Sequence, residues 1–155
     1  MKDNLKLKGI ISLELIRDGK VIDKREIKNT ITDAGLAEIS GLIGATGSKT
    51  AFTYLAVGTG TTASDAGDTA LETEITDTGL ERSAATVSQE TTTVTDDTLQ
   101  LLKSWTATGA KAVTEAGALN AASVGTLLGR QVFAAVNTAT NDVLQLTYKF
   151  IFAGA

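Results

Sequence analysis

Alternation of apolar and polar residues is the clearest pattern along this chain. From Leu5 to Arg17, leucine and isoleucine alternate with lysine, serine and glutamate for most of the stretch, which is the period of a half-buried β-strand. Asp18-Gly19 follows, and both residues tolerate the positive φ that a two-residue hairpin loop needs. Residues 21–28 then return as a second strand. The pattern predicts a β-hairpin in which Leu15 lies near Ile22 and Ile16 lies near Val21.

One short helix is predicted after the hairpin. Thr32-Asp33 offers side-chain oxygens that can accept an unpaired backbone N–H at a helix start, and Gly44 and Gly47 are typical of a helix end. Between them, apolar residues recur at helical spacing and predict the face that packs against a sheet. This apolar stripe comprises Leu36, Ile39 and Ile43, with Ala37 and Leu42 beside it.

The second half of the chain reads as strands separated by polar turns. Trp105 lies in one of these strands, where a lone tryptophan is more often core than an exposed anchor. The last strand alternates strictly and is predicted to be core. Short strands at this spacing indicate an antiparallel sandwich or barrel, so we predict an all-β fold with one short helix in a single domain over residues 1–155. The predicted strands are 80–88, 99–107, 112–119 (with a bulge), 127–136 and 143–152.

A long loop of small residues separates the two halves. It begins at Gly58-Thr-Gly60, where glycine supplies backbone conformations that other residues avoid, and it has no large apolar residue before Leu71. Connections longer than about 4–6 residues tend to carry function, so a contact surface is predicted here. The candidate contact residues are Thr59, Thr61, Thr62, Asp65 and Asp68.

The acidic residues in and behind this loop allow a second interpretation. Clustered carboxylates suit calcium, but their spacing matches no EF-hand, and acids in a surface loop are usually solvated. We therefore predict no metal and no cofactor. Arg130 is predicted to pair with an acid near Glu72 or Glu115. The acids concerned are Asp65, Asp68, Glu72, Glu74 and Asp77.

Composition narrows the function. The chain has no histidine and no cysteine, so it lacks the commonest general base and every thiol nucleophile, and no enzyme is predicted. The net charge of −4 argues against nucleic acid or an anionic membrane as partner. The one basic bias is Lys2, Lys6 and Lys8, in residues 1–8. We predict that this segment is an N-terminal arm that docks on an acidic neighbour.

Three segments resemble structural proteins of tailed-bacteriophage virions. The first is the hairpin with Arg17-Asp-Gly-Lys-Val, leading through Asn29-Thr-Ile-Thr-Asp-Ala-Gly into the helix. The second joins Phe52-Thr-Tyr-Leu-Ala-Val-Gly-Thr-Gly to Asp68-Thr-Ala-Leu-Glu-Thr-Glu. The third joins Thr114-Glu-Ala-Gly-Ala-Leu-Asn to Gly125-Thr-Leu-Leu-Gly-Arg-Gln-Val-Phe.

This resemblance implies an antiparallel β-sandwich of jelly-roll or tulip-like kind that acts as a homotrimer on a particle surface. It favours a capsid decoration (cement) subunit that binds the major capsid protein on the outside of the head. The alternative is a tail, baseplate or fibre component. Either protein would be made in the cytoplasm of the bacterial host, and the resemblance carries no catalytic residues.

Overall fold

The structure, a computed structural model, describes residues 5–153. Within that range strands dominate, and the single helix follows the first hairpin, so the predicted all-β class is confirmed. The elements are β1 (Lys6–Arg17), β2 (Lys20–Ile31), α1 (Asp33–Gly44), β3 (Tyr54–Gly58), β4 (Ser83–Ala84), β5 (Thr86–Glu90), β6 (Thr98–Thr106), β7 (Lys111–Leu119), β8 (Leu127–Thr138) and β9 (Val143–Ala153).

The nine strands of residues 5–153 form one antiparallel sheet that folds over itself into two layers. Its order is β4-β3-β7-β8-β2-β1-β9-β6-β5. The turn between the layers is β2, which pairs with β1 along most of its length and with β8 only at Thr30 and Ile31. At the other side, β4 pairs with β3 while β5 pairs with β6, and only Ala85 separates β4 from β5. The two ends of the sheet therefore lie close together.

The core lies between the two layers. Leucine, valine and alanine from β3, β7 and β8 meet the apolar faces of β1, β6 and β9. The alternating strand β9 is core, as predicted. Trp105 is also core, and its Nε1 donates to the carbonyl of Glu81 at 2.9 Å. The fully buried side chains of β9 are Leu144, Leu146, Tyr148 and Phe150.

The first hairpin is confirmed, with one shift in register. Asp18 and Gly19 have φ of 50° and 74°, as a two-residue loop requires. A β-bulge between Leu15 and Ile16 places Leu15 opposite Asp23. The predicted pairing with Ile22 is therefore wrong by one residue, because a bulge sets two residues of one strand against one of its partner.

The cap of α1 is as predicted, but of its predicted apolar stripe only Ile39 packs against the core. Thr32 Oγ1 accepts from the Gly35 amide at 3.0 Å, whereas Leu36 and Ile43 are exposed. Two glycines on the buried face allow a close approach to the sheet, and Glu38 is buried there because its carboxylate accepts from the Thr50 amide and pairs with Lys49. At the other end Ala45, not a glycine, takes the left-handed conformation. The buried residues of α1 are Gly35, Glu38 and Gly41.

The strand predicted over residues 80–88 is also different. Leu80 is buried within a loop, and the strand character begins only at Ser83. The segment then changes partners at Ala85, passing from one layer to the other. An apolar pattern within one segment does not reveal such a change of partner.

Candidate functional site

One buried carboxylate holds the long loop over residues 58–74 in place through hydrogen bonds to its backbone. Glu115 projects from β7 and has no exposed surface. Its Oε1 accepts from the amides of Gly60 at 3.0 Å and Thr73 at 2.7 Å, and its Oε2 accepts from the amide of Glu72 at 3.0 Å. Both ends of the loop are therefore held at one point.

Arg130 holds the middle of the same loop. From β8, its Nε donates to Glu115 Oε2 at 2.7 Å, Nη1 donates to Asp68 Oδ2 at 2.8 Å, and Nη2 donates to the carbonyl of Thr62 at 3.0 Å. Burial opposes the charge on Arg130, but the hydrogen bonds to Asp68 and Glu115 outweigh it and raise its pKa. Burial likewise opposes the charge on Asp68, yet the Asp65 amide and Arg130 bring its pKa below the usual value. The predicted pairing of Arg130 with an acid is confirmed.

Gly58 and Gly60 are required by close packing around the Glu115 carboxylate, and not by an unusual backbone conformation. Neither has positive φ. A Cβ on Gly60 would lie 2.5 Å from Glu115 Oε1, and one on Gly58 would lie 2.5 Å from the carbonyl oxygen of Thr73. The glycines are needed because the backbone passes so close to Glu115 and to the returning chain.

The contact residues predicted in the loop are divided between its inner and outer sides. Asp68 is bound to Arg130, and the Thr62 hydroxyl donates to Glu72 Oε1 at 2.7 Å. Thr59 is half-buried, since its amide donates to the returning chain. Their contact with a partner remains a prediction. The loop residues with exposed side chains are Thr61, Thr62, Ala63, Asp65, Thr69, Ala70, Glu72 and Thr73.

The acids considered for calcium are used in separate contacts. Asp65 accepts from the Gly67 amide at 2.8 Å, while Glu72 Oε2 accepts from the amides of Thr61 and Thr62. Glu74 pairs with Arg82 and Asp77 with Lys111. Across residues 5–153, no three acidic side chains converge in a geometry that could hold a metal ion.

The predicted N-terminal arm is partly strand. Lys6, Leu7 and Lys8 belong to β1 and pair with β9, and Leu7 packs against the core. The prediction that residues 1–8 form a separate arm is therefore wrong for residues 6–8. Lys2 lies outside the described residues.

Folding builds a larger basic surface around Lys6 and Lys8. Lys28 of β2 and Lys149 of β9 are both paired with Ile10 of β1, one on each side, and Lys8 lies two residues from Ile10 on the same face. Strands are about 4.8 Å apart, so Lys8, Lys28 and Lys149 lie close together, and Lys6 extends this surface along β1. We call Lys6, Lys8, Lys28 and Lys149 the lysine patch. Among the described residues, none of the four forms an ion pair.

The lysine patch and the long loop are neighbours. Thr30, two residues from Lys28 along β2, hydrogen bonds through Oγ1 to Ser64 Oγ at 2.8 Å. The amide of Asp33 donates to the carbonyl of Ala66 at 2.8 Å. The structure therefore brings together the two sets of contact residues that the sequence had placed far apart.

Lys28 and Lys149 were missed in the sequence. Each lies in an alternating strand, which predicts a solvent-facing side chain, but alternation does not say which strands are neighbours. The register of β1 with β2 and β9 alone assembles the patch.

Comparisons with family models, with curated proteins and with solved structures found no match to this chain. Among residues 5–153, the helix is neither long nor apolar enough to cross a membrane.

Proposed function

We propose that this protein is a structural component of a phage particle, a capsid decoration subunit that binds the outer surface of the head. In this proposal it acts as a homotrimer, contacts the major capsid protein and has no catalytic activity. The resemblance of its three segments to virion structural proteins supports the proposed class of protein. The lysine patch is the observation that carries the mode of binding.

The lysine patch suits an acidic protein surface. The chain as a whole has a net charge of −4, so long-range attraction to a polyanion such as nucleic acid is weak. Four lysines that form no ion pair within residues 5–153 nevertheless create a local positive field. At physiological salt, such a field extends about 8 Å, which is enough for docking on acidic side chains at short range.

The aromatic residues support a structural role over glycan binding by a tail fibre. Stacking on sugar rings needs exposed aromatic faces, but Trp105, Tyr148 and Phe150 are buried, and Tyr54, Phe133 and Phe152 are half-buried. Tyr148 and Phe150 stack on one another, with ring centroids 5.0 Å apart. These rings contribute to the core.

The first test is the number of copies in purified phage particles, measured by quantitative mass spectrometry against the major capsid protein. A ratio near one supports decoration of the lattice. A handful of copies per particle would contradict this proposal and favour a tail, baseplate or fibre position.

The second test addresses the lysine patch. The triple variant Lys8→Gln, Lys28→Gln, Lys149→Gln should bind undecorated heads at least tenfold more weakly than the wild type in a sedimentation assay. The matched control is Lys20→Gln, Lys24→Gln, Lys111→Gln, which removes the same charge elsewhere. Equal losses in both variants would show that net charge, and not the patch, determines binding.

A further inference from the structure

The folded sheet is left open where its two ends meet. The amide of Ala85 donates to the carbonyl of Thr53 at 2.8 Å, and beyond this bond the two segments separate. Residues 86–90 continue as β5, which pairs with β6 on one side and with no described strand on the other. The outer edge of β5 therefore presents unpaired backbone groups, which are a template for a further strand.

An apolar groove lies beside this edge. Ile39, Leu42 and Ile43 of α1 form one wall, Phe52 and Val87 lie across from them, and the groove encloses about 280 Å³. Ile43 is 78% exposed and Val87 is 44% exposed. Large apolar side chains rarely gather at a surface without a binding role. Helix α1 creates the groove because the face with Gly35, Glu38 and Gly41 is buried, which leaves Leu42 and Ile43 exposed.

The groove continues into an acidic end. A second cavity, also lined by Val87, reaches the turn after β5, where Asp96 and Asp97 contribute to its wall. The Asp97 carboxylate accepts from the amides of Thr92, Thr93 and Val94, so its charge is already compensated. The Asp96 side chain is exposed and forms no ion pair among the described residues.

We propose that the groove binds an extended segment of a partner protein, which adds as an antiparallel strand to the free edge of β5. Its apolar side chains at alternate positions fill the groove, and a lysine or arginine at its amino end meets Asp96. Addition of a strand to a sheet edge is an established mode of peptide recognition. The proposal is independent of the proposed function, since it uses a different surface.

Charge complementarity selects a partner protein over the β5 strand of a second copy. Residues 86–90 read Thr-Val-Ser-Gln-Glu and contain no basic residue. Pairing two β5 strands would leave Asp96 without a counter-charge. An extended apolar segment with a basic amino end satisfies the edge, the groove and the acid together.

The probe is a labelled peptide of alternating valine and threonine with two lysines at its amino end. Fluorescence anisotropy should show saturable binding to the wild-type protein, at least tenfold weaker binding to Val87→Lys, and an unchanged affinity, within twofold, for Val124→Lys. Val124 is 86% exposed in another loop, so this control adds the same charge outside the groove. Ile43→Ser, which removes an apolar side chain from the groove wall, should also reduce binding. Because Ile43 is so exposed, this substitution should not disturb the fold.

Two further measurements separate strand addition from adsorption. Hydrogen exchange should slow at the backbone amides of residues 86–90 when the peptide binds. Asp96→Asn should lower the affinity for the lysine peptide severalfold. The affinity for a peptide with glutamines in place of the lysines should not change. The proposal is overturned if the peptide does not bind at millimolar concentration, or if Val87→Lys and Val124→Lys bind it alike. Dimers that disappear in Val87→Lys would assign the groove to a second copy and also overturn it.

Discussion

At the scale of single residues, the pair of Glu115 and Arg130 matters most. Two opposite charges are removed from water, and each charged group receives several hydrogen bonds in return. Such a pair contributes little compared with a well-packed apolar pair, but the loss of one partner leaves an uncompensated buried charge. The pair therefore makes the position of the loop depend on both residues.

We expect Glu115→Gln to lower the free energy of unfolding by about 3 kcal/mol, the cost of breaking a buried ion pair. The substitution keeps the size of the side chain but leaves Arg130 without its buried counter-ion. Urea unfolding at pH 7 measures the loss. Native-state hydrogen exchange should also become faster, and the increase should be largest at the backbone amides of residues 58–74.

Two controls show whether charge is the cause. Glu14→Gln, which alters the exposed pair with Lys24, should change stability little. The double variant Glu115→Gln, Arg130→Gln, which removes both charges and keeps an acceptor at position 115, should be more stable than Glu115→Gln. If the urea concentration at the midpoint of unfolding is the same for Glu115→Gln and the wild type, the buried pair does not hold the loop.

At the scale of secondary structure, α1 shows how packing overrides propensity. Gly35 faces β8, and a Cβ there would lie 2.7 Å from the Cα of Leu128. Gly44, in the last turn of the same helix, has Thr46 Cγ2 at 3.5 Å as its nearest neighbour. Two glycines in one helix thus have opposite environments.

We expect Gly35→Ala and Gly44→Ala to shift stability in opposite directions. Alanine favours a helix over glycine by about 1 kcal/mol, and Gly44→Ala should raise the melting temperature by roughly 2–4 °C. At Gly35 the collision with backbone atoms prevails, and the melting temperature should fall. Calorimetry of both variants tests this, and a rise in Gly35→Ala would mean that α1 can move away from β8.

At the scale of the whole molecule, the absence of histidine and cysteine determines the response to pH. No side chain has an ordinary pKa between 5 and 8, so stability should be flat there. The pKa values of several carboxyl groups are lowered by their partners, such as that of Asp142 by the hydrogen bond with Arg17. These groups are Asp23, Glu38, Asp68, Glu72, Asp97 and Asp142.

We expect acid to destabilise the protein. A carboxyl group whose pKa is lower in the folded state contributes stability that is complete above its unfolded pKa and is lost as the pH falls through its folded pKa. Urea midpoints should therefore be equal at pH 8 and 6 and should fall progressively below about pH 4.5. In Asp68→Asn this acid-dependent fall should be smaller. A steep change between pH 6 and 8 would contradict the interpretation.

Much of the fold was predictable because its signals are local. The Asp18-Gly19 turn, the Thr32 cap and the alternation of β9 each depend on residues close together in the chain. The predictions for most of the helix face and for a strand over residues 80–88 were wrong, because the environment of these residues is formed by distant strands. In the candidate site, the pairing of Arg130 with an acid was predicted, but Lys28 and Lys149 were not.

The sequence by itself determined the antiparallel class, the first hairpin and the helix cap, because each follows from backbone preferences and side-chain period over a few residues. Only the tertiary structure decided that Glu115 and Arg130 fasten the long loop, that four lysines form one patch, and that a groove opens beside β5. Each of these depends on the register of strands far apart in the chain, which no local pattern encodes.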